Sequence, residues 1–190
     1  IDPTNRDHIV VSAYQVNRPG ATRVSNVLFV SRDGGRTWQE ELAANPERRS
    51  SQGDDAVVFG ADGTLLHSYI SFDGLRVARP ALARNGIFVR RRDAATGGWE
   101  APVAVIDHRN TVAPFEDKPW PGVDRGAQSP RRGHVYVAWT RFDEYNTPRP
   151  DCRSEIHVSR STDNGRSFSV PLRISDRVGT CLDDDDTVEG

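Results

Sequence analysis

The stretch SRDGGRTW, residues 31–38, returns near the other end of the chain as STDNGRSF, residues 161–168. Both fit one template: Ser, any residue, Asp, any, Gly, any, Thr or Ser, then a large aromatic. A weaker copy, RDAATGGW at 92–99, keeps Asp93, Gly98 and Trp99. The aspartates fall at positions 33, 93 and 163, so the phrase recurs every 60 to 70 residues. Repetition at such a period points to one supersecondary unit used several times.

Working outward from the phrase, other segments repeat in step. HIVVSAYQV (8–16), GTLLHSYISF (63–72) and GHVYVAWTRF (133–142) form one set, in which Tyr14, Tyr69 and Trp139 correspond. SNVLFVSRD (25–33), NGIFVRRRD (85–93) and SEIHVSRSTD (154–163) form the next and run directly into the phrase. QEELA, EAPVAVID and SVPLRIS follow it, and DAVVFG (55–60) and WPGVD (120–124) open the second and third units. These runs are β-branched and aromatic with turn residues on either side, as strands are. No stretch shows useful helical periodicity. Four short strands per repeat predict an all-β fold: a partial β-propeller of three four-stranded antiparallel blades. The units run over about 1–53, 54–116 and 117–186, with a fourth starting at 187–190. A β-sandwich is the alternative, although two separate phrases repeating in step argue against it.

Within the phrase each residue has a local task. Gly35 and Gly165 provide the positive φ of a tight turn. Asp33 and Asp163 accept hydrogen bonds from turn N–H groups. Thr37 and Ser167 add hydroxyls, Ser31 and Ser161 precede the turn, and Trp38 and Phe168 start the outer strand, where they can pack between units. With these residues in view, the phrase resembles the Asp box, or bacterial neuraminidase repeat, of the sialidase-like superfamily; DKPWPGVD followed by GHVYVAWTRF is similar to secreted bacterial proteins of that superfamily. The resemblance implies a six-bladed propeller of which this chain is about half. It also implies that the boxes are structural and lie on the face away from the active site.

The bulk numbers exclude several classes. The 190 residues carry 25 basic and 27 acidic side chains, a net charge of −2, so no strong field draws nucleic acid. No apolar run reaches the roughly 20 residues of a membrane-spanning helix. Methionine is absent and the chain opens IDPTNRD, which reads as a processed chain or a fragment. Lys118 is the single lysine; the bias to arginine suits carboxylate recognition, with base composition the plainer reading.

The chemistry is expected in long loops on the face opposite the Asp boxes. Those loops hold Arg76, Arg109 and Arg153 as substrate-binding candidates, and Tyr145, in FDEYNTP, as a candidate catalytic residue. Tyr14, Tyr69 and Tyr136 lie in strands and are expected in the core. GDD (53–55) and EDK (116–118) open inner strands and point to a central channel. Asp117 is the leading catalytic candidate, with Lys118 and Asp54 as substrate-binding neighbours; a polar, water-filled channel is the plainer reading. The run Asp183 to Asp186 lacks the spacing of a calcium loop, so no metal is assigned, and nothing implies an organic cofactor. Cys152 and Cys181 fall in loops on one face, so a disulfide is expected, which would place the protein outside the cytoplasm; two free thiols are the alternative.

Two functions remain open at this point. One is a fragment of a secreted sialidase-like glycoside hydrolase acting on terminal sugars of glycans. The other is a non-catalytic propeller that binds glycan or protein. In either case the remainder of the propeller would be needed to close the fold.

Overall fold

The computed structural model describes residues 1–16, 24–73, 84–109 and 114–182. The described residues contain strands and turns and no helix. The strands are β1 (Ile9–Val16), β2 (Val24–Ser31), β3 (Gln39–Leu42), β4 (Ser51–Phe59), β5 (Leu65–Phe72), β6 (Asn85–Arg92), β7 (Val103–His108), β8 (Phe115–Val123), β9 (Val135–Phe142), β10 (Ser154–Ser161) and β11 (Leu172–Arg173). Neighbours in sequence pair antiparallel: β1 with β2 and β2 with β3, then β4 to β7, then β8 to β11. One parallel contact, Val24 to Ser51, joins the first two groups into a seven-stranded sheet. The last four strands form a second sheet. Neither sheet closes on itself.

The alternation of side chains across each strand explains the two cores. On β5, Leu66 and Ile70 face the second sheet and meet Val135, Val137 and Trp139 of β9. From the other side of β5, Leu65 meets Val10, Leu28 and Val30 of the first three strands, with Phe59. β5 and β6 are therefore buried on both faces, and read as nearly unbroken runs of buried residues. Tyr69 belongs to this buried set. Tyr14, expected in the core, is instead 55% exposed. Tyr136 is half-buried.

The two full eight-residue turns use one hydrogen-bond scheme. The Ser31 hydroxyl donates to Asp33 and accepts the Gly35 N–H. Asp33 in turn accepts the Thr37 N–H at 2.9 Å and the Thr37 hydroxyl at 2.6 Å. Ser161, Asp163, Gly165 and Ser167 repeat these bonds. Hydroxyl and N–H donors, Thr37 first, hold the Asp33 carboxyl at about 2, and Ser161 followed by Ser167 holds Asp163 lower still. In the weaker copy Asp93 turns to Thr96 instead, accepting its N–H and hydroxyl, and Gly98 closes the turn to Asp93. The aromatics diverge. Phe168 packs against the larger core, and Trp99 lies under the guanidinium of Arg90 at 4.6 Å. Trp38, expected between units, instead folds back on its own turn, donating to the Gly35 carbonyl, and is 43% exposed.

Cys152 and Cys181 are joined in a disulfide, 29 residues apart with Cα atoms at 5.7 Å. Both are buried in the larger core.

The outer face of the second sheet is apolar and uncovered by any described residue. Trp120, Ala138, Val158 and Leu172 are successive partners across its four strands. Trp120 is 72% exposed and Leu172 65%. The corresponding face of β4–β7 is the one that packs on the second sheet. An apolar sheet face left open promotes association. The isolated 190-residue chain is expected to self-associate with rising concentration, and Leu172→Lys is expected to shift it toward monomer in sedimentation. Identical sedimentation of the two proteins would show that this face is not the contact.

Candidate functional site

Paired β-bulges build the cleft with the most available chemistry. In β4 the register against β5 slips between Gly53 and Ala56, and in β8 the register against β9 slips between Asp117 and Trp120. Tyr69 and Trp139 lie opposite the two slips, so the bulges are equivalent positions of a repeated unit. Asp54 and Lys118 occupy the same place in each, with φ of 43° and 49°. This left-handed conformation costs a non-glycine residue about 1–2 kcal/mol, and such strain clusters where side chains are aimed at ligands. The sequence had suggested that these residues open the inner strands. β4 and β8 instead begin earlier, at Ser51 and Phe115, and the bulges interrupt them.

β4 and β8 pack side by side, so the bulges meet. Asp54, Asp55, Ala56, Lys118, Pro119 and Trp120 line a cleft of about 250 Å³. The Asp54 carboxylate makes no hydrogen bond or ion pair with any described residue. Asp55 turns inward, where its carboxylate accepts from His67 Nε2 at 2.8 Å; both side chains are almost fully buried. Asp117 is buried and accepts the N–H of Lys118 at 3.1 Å, which supports the left-handed turn there. The structure thus brings two of the candidates, Asp54 and Lys118, to one cleft and places Asp117 behind it. Trp120 is the residue that sequence reasoning overlooked; its place in the WPGVD strand hid its exposure.

The other candidates lie elsewhere. Tyr145 packs between Phe115 and Phe142, with ring centroids at 4.8 and 5.0 Å. The Arg153 N–H is held by Asp143. Arg109 is mostly exposed and pairs with Asp107 at 2.9 Å. Arg76 lies outside the described residues, as do Asp183 to Asp186 and residues 187–190.

A second cleft, about 390 Å³, opens at the strand ends opposite the eight-residue turns, between Glu47, Arg49, Arg84, Phe88, Asp107 and Arg109. Beneath it the Tyr69 hydroxyl donates to Glu47 at 2.7 Å. Burial first, then the Glu47 charge, pushes the Tyr69 phenol far above its ordinary value. Tyr69 is fully buried and does not line the cleft. Each arginine is already held: Arg49 and Arg109 by Asp107, Arg84 by Asp73. The Tyr69–Glu47 hydrogen bond and the arginine–aspartate pairs are thus separate contacts, and among the described residues Glu47 Oε2 and Arg49 Nε lie buried with no hydrogen-bond partner.

Beside the bulge of β8, Glu116 is fully buried and accepts from Trp139 Nε1 at 2.5 Å, Arg141 Nε at 2.8 Å and His108 Nε2 at 2.8 Å. Burial alone would raise its pKa, but these donors and the Arg141 charge outweigh burial, and the net shift is downward. Among the described residues no group of His, Cys, Asp and Glu is arranged to hold a metal ion, and no helix is long and apolar enough to cross a membrane.

No family model matches the chain. Over 116 residues it is 33% identical to a sialidase of Vibrio cholerae serotype O1, an alignment covering 52% of this chain and 15% of that protein. Among solved structures it resembles a thermostable family-43 glycoside hydrolase, with a TM-score of 0.57 and 13% identity over 91% of this chain and 52% of the other. It also resembles the Hadza microbial sialidase Hz136, with a TM-score of 0.57 and 17% identity over 94% of this chain and 37% of the other. A protein of unknown function from Dyadobacter fermentans gives a TM-score of 0.55. The chain therefore shares sequence with a sialidase over about half its length and shares its fold with glycoside hydrolases, while spanning only 15% of the curated relative.

Proposed function

We propose that the chain forms part of a sialidase-like glycoside hydrolase that acts on terminal sugars of extracellular glycans, with the bulge cleft as its sugar site. The observation that carries this reading is the grouping of Asp54, Lys118 and Trp120 around one cleft. An exposed indole offers a flat apolar surface for the C–H face of a pyranose ring. The Lys118 ammonium suits a sugar carboxylate, and Asp54 is placed to hydrogen-bond hydroxyls or to exchange a proton with the glycosidic oxygen. Asp117 acts through Lys118, whose backbone it holds. The three strand groups would be blades with Asp-box turns, about half of a six-bladed propeller. The disulfide fits an oxidising, extracytoplasmic setting.

A specific observation favours the second reading, a glycan-binding propeller without catalysis: Tyr69 is sealed from solvent and the neighbouring arginines are paired off. Turnover of a fluorogenic sialoside by the full-length protein separates the two. The hydrolase reading expects Asp54→Asn to lower kcat by roughly 10²-fold, the scale of a lost proton-transfer group. Trp120→Ala should raise KM by about tenfold, the loss of an aromatic contact. Melting temperatures should be unchanged in both. A folded parent that binds sialosides without hydrolysing them would move the assignment to the binding module.

A further inference from the structure

We propose that His67 is the positioning residue of the bulge cleft: through Asp55 it fixes the β4 bulge in the conformation that turns Asp54 outward. The inference rests on reading the cleft as the sugar site, but its geometry stands by itself. Asp55 follows Asp54 directly, and its carboxylate accepts the Nε2 proton of His67 at 2.8 Å, with the two side chains 2% and 0% exposed. His67 is locked in turn. Its ring stacks on Tyr69 at 5.1 Å, and Trp99 closes the space beyond at 6.2 Å. The backbone around the bulge is held from both neighbouring strand groups. The Ser12 hydroxyl donates to the Asp55 carbonyl at 3.2 Å. The Ser68 hydroxyl lies 3.4 Å from the Ala56 carbonyl and 3.3 Å from the Pro119 carbonyl. The β4 bulge is thus where all three strand groups meet, and among the described residues the Asp55–His67 bond is its one charge-assisted tie. With that tie cut, a buried carboxylate is left unpaired, and the peptide from Gly53 to Ala56 is released from the strained turn that Asp54 occupies.

The test uses two substitutions in the full-length protein. His67→Leu removes the donor at similar volume; His67→Gln returns an N–H at the end of a side chain of comparable reach. Two readouts are taken. The first is backbone amide exchange, which does not depend on activity. His67→Leu is expected to speed exchange over residues 53–56 by tenfold or more while leaving residues 115–119 unchanged, and His67→Gln is expected to remain within about threefold of wild type. The second is sialoside turnover, where His67→Leu should lose at least tenfold in kcat/KM and His67→Gln should recover most of it. Unchanged exchange in His67→Leu, or equal damage in both variants, would overturn the proposal. A wild type without turnover would remove the hydrolase reading while the exchange data still decide this one. Should His67→Leu fail to fold, Asp55→Ala cuts the same tie from the other side and is read by the same exchange.

Discussion

Replacing Glu116 with alanine is expected to destabilise the fold by about 3–5 kcal/mol, the scale seen when one partner of a buried charge cluster is removed. The magnitude follows from what is stranded. Trp139 is the largest fully buried side chain, and its indole N–H has Glu116 as its acceptor. Arg141 on β9 and His108 at the end of β7 lose the same carboxylate. Glu116→Gln keeps an acceptor and should cost less, about 1.5–3 kcal/mol for lost charge-assisted bonds. The pH dependence has a fixed sign. The folded pKa lies below the ordinary value of 4.5, so the charged form contributes its full stability above that value and loses it as pH falls toward the folded pKa. The difference between wild type and Glu116→Gln in urea unfolding should therefore be constant near neutrality and shrink below about pH 4.5. A difference that is flat through acid pH would mean that Glu116 is not held charged by its neighbours.

The second large effect is expected from the disulfide. With a sequence separation of 29 between Cys152 and Cys181, the bridge removes loop entropy worth about 3.5 kcal/mol from the unfolded chain. The Cys152→Ser, Cys181→Ser double variant should lose that much in denaturant unfolding. A reductant should lower the wild type by a similar amount and leave the variant unchanged. Equal midpoints for wild type with and without reductant would show that the bond contributes nothing to stability.

Strand order was legible in the sequence because each unit repeats its pattern, and the eight-residue phrase announces a turn through residues that bond one another. The Ser, Asp, Gly and Thr or Ser that bond one another lie within seven positions, so no distant contact is needed to infer the turn. The cysteine pairing was legible for a related reason, since the strand map put both loops at one end. The cleft was harder to see. Its decisive feature, the left-handed backbone at Asp54 and Lys118, carries none of the glycine that usually marks such a position. It arises from a register slip that shows only once β4 is laid against β5. Trp120 was hidden because an apolar residue in a strand reads as core, and exposure depends on what covers the sheet. The Tyr69–Glu47 pair spans 22 residues and joins a strand to a linker, a juxtaposition that no local pattern encodes. The Asp55–His67 pair spans only 12, but one member faces into the interior from within a bulge, where the alternation of strand residues gives no guide.

The near-exclusive pairing of sequence neighbours bears on how the chain acquires its structure. Each hairpin can zip as soon as its second strand is available, because the loop to be closed is short. On a ribosome the first sheet could assemble while the second is still being synthesised. The parallel contact at Val24 and Ser51 and the meeting of β4 with β8 are the steps that bring distant segments together. Until they form, the apolar side of β5 that faces β9 is open to other nascent chains, and the interval before β8 and β9 emerge is the stage most exposed to misassembly.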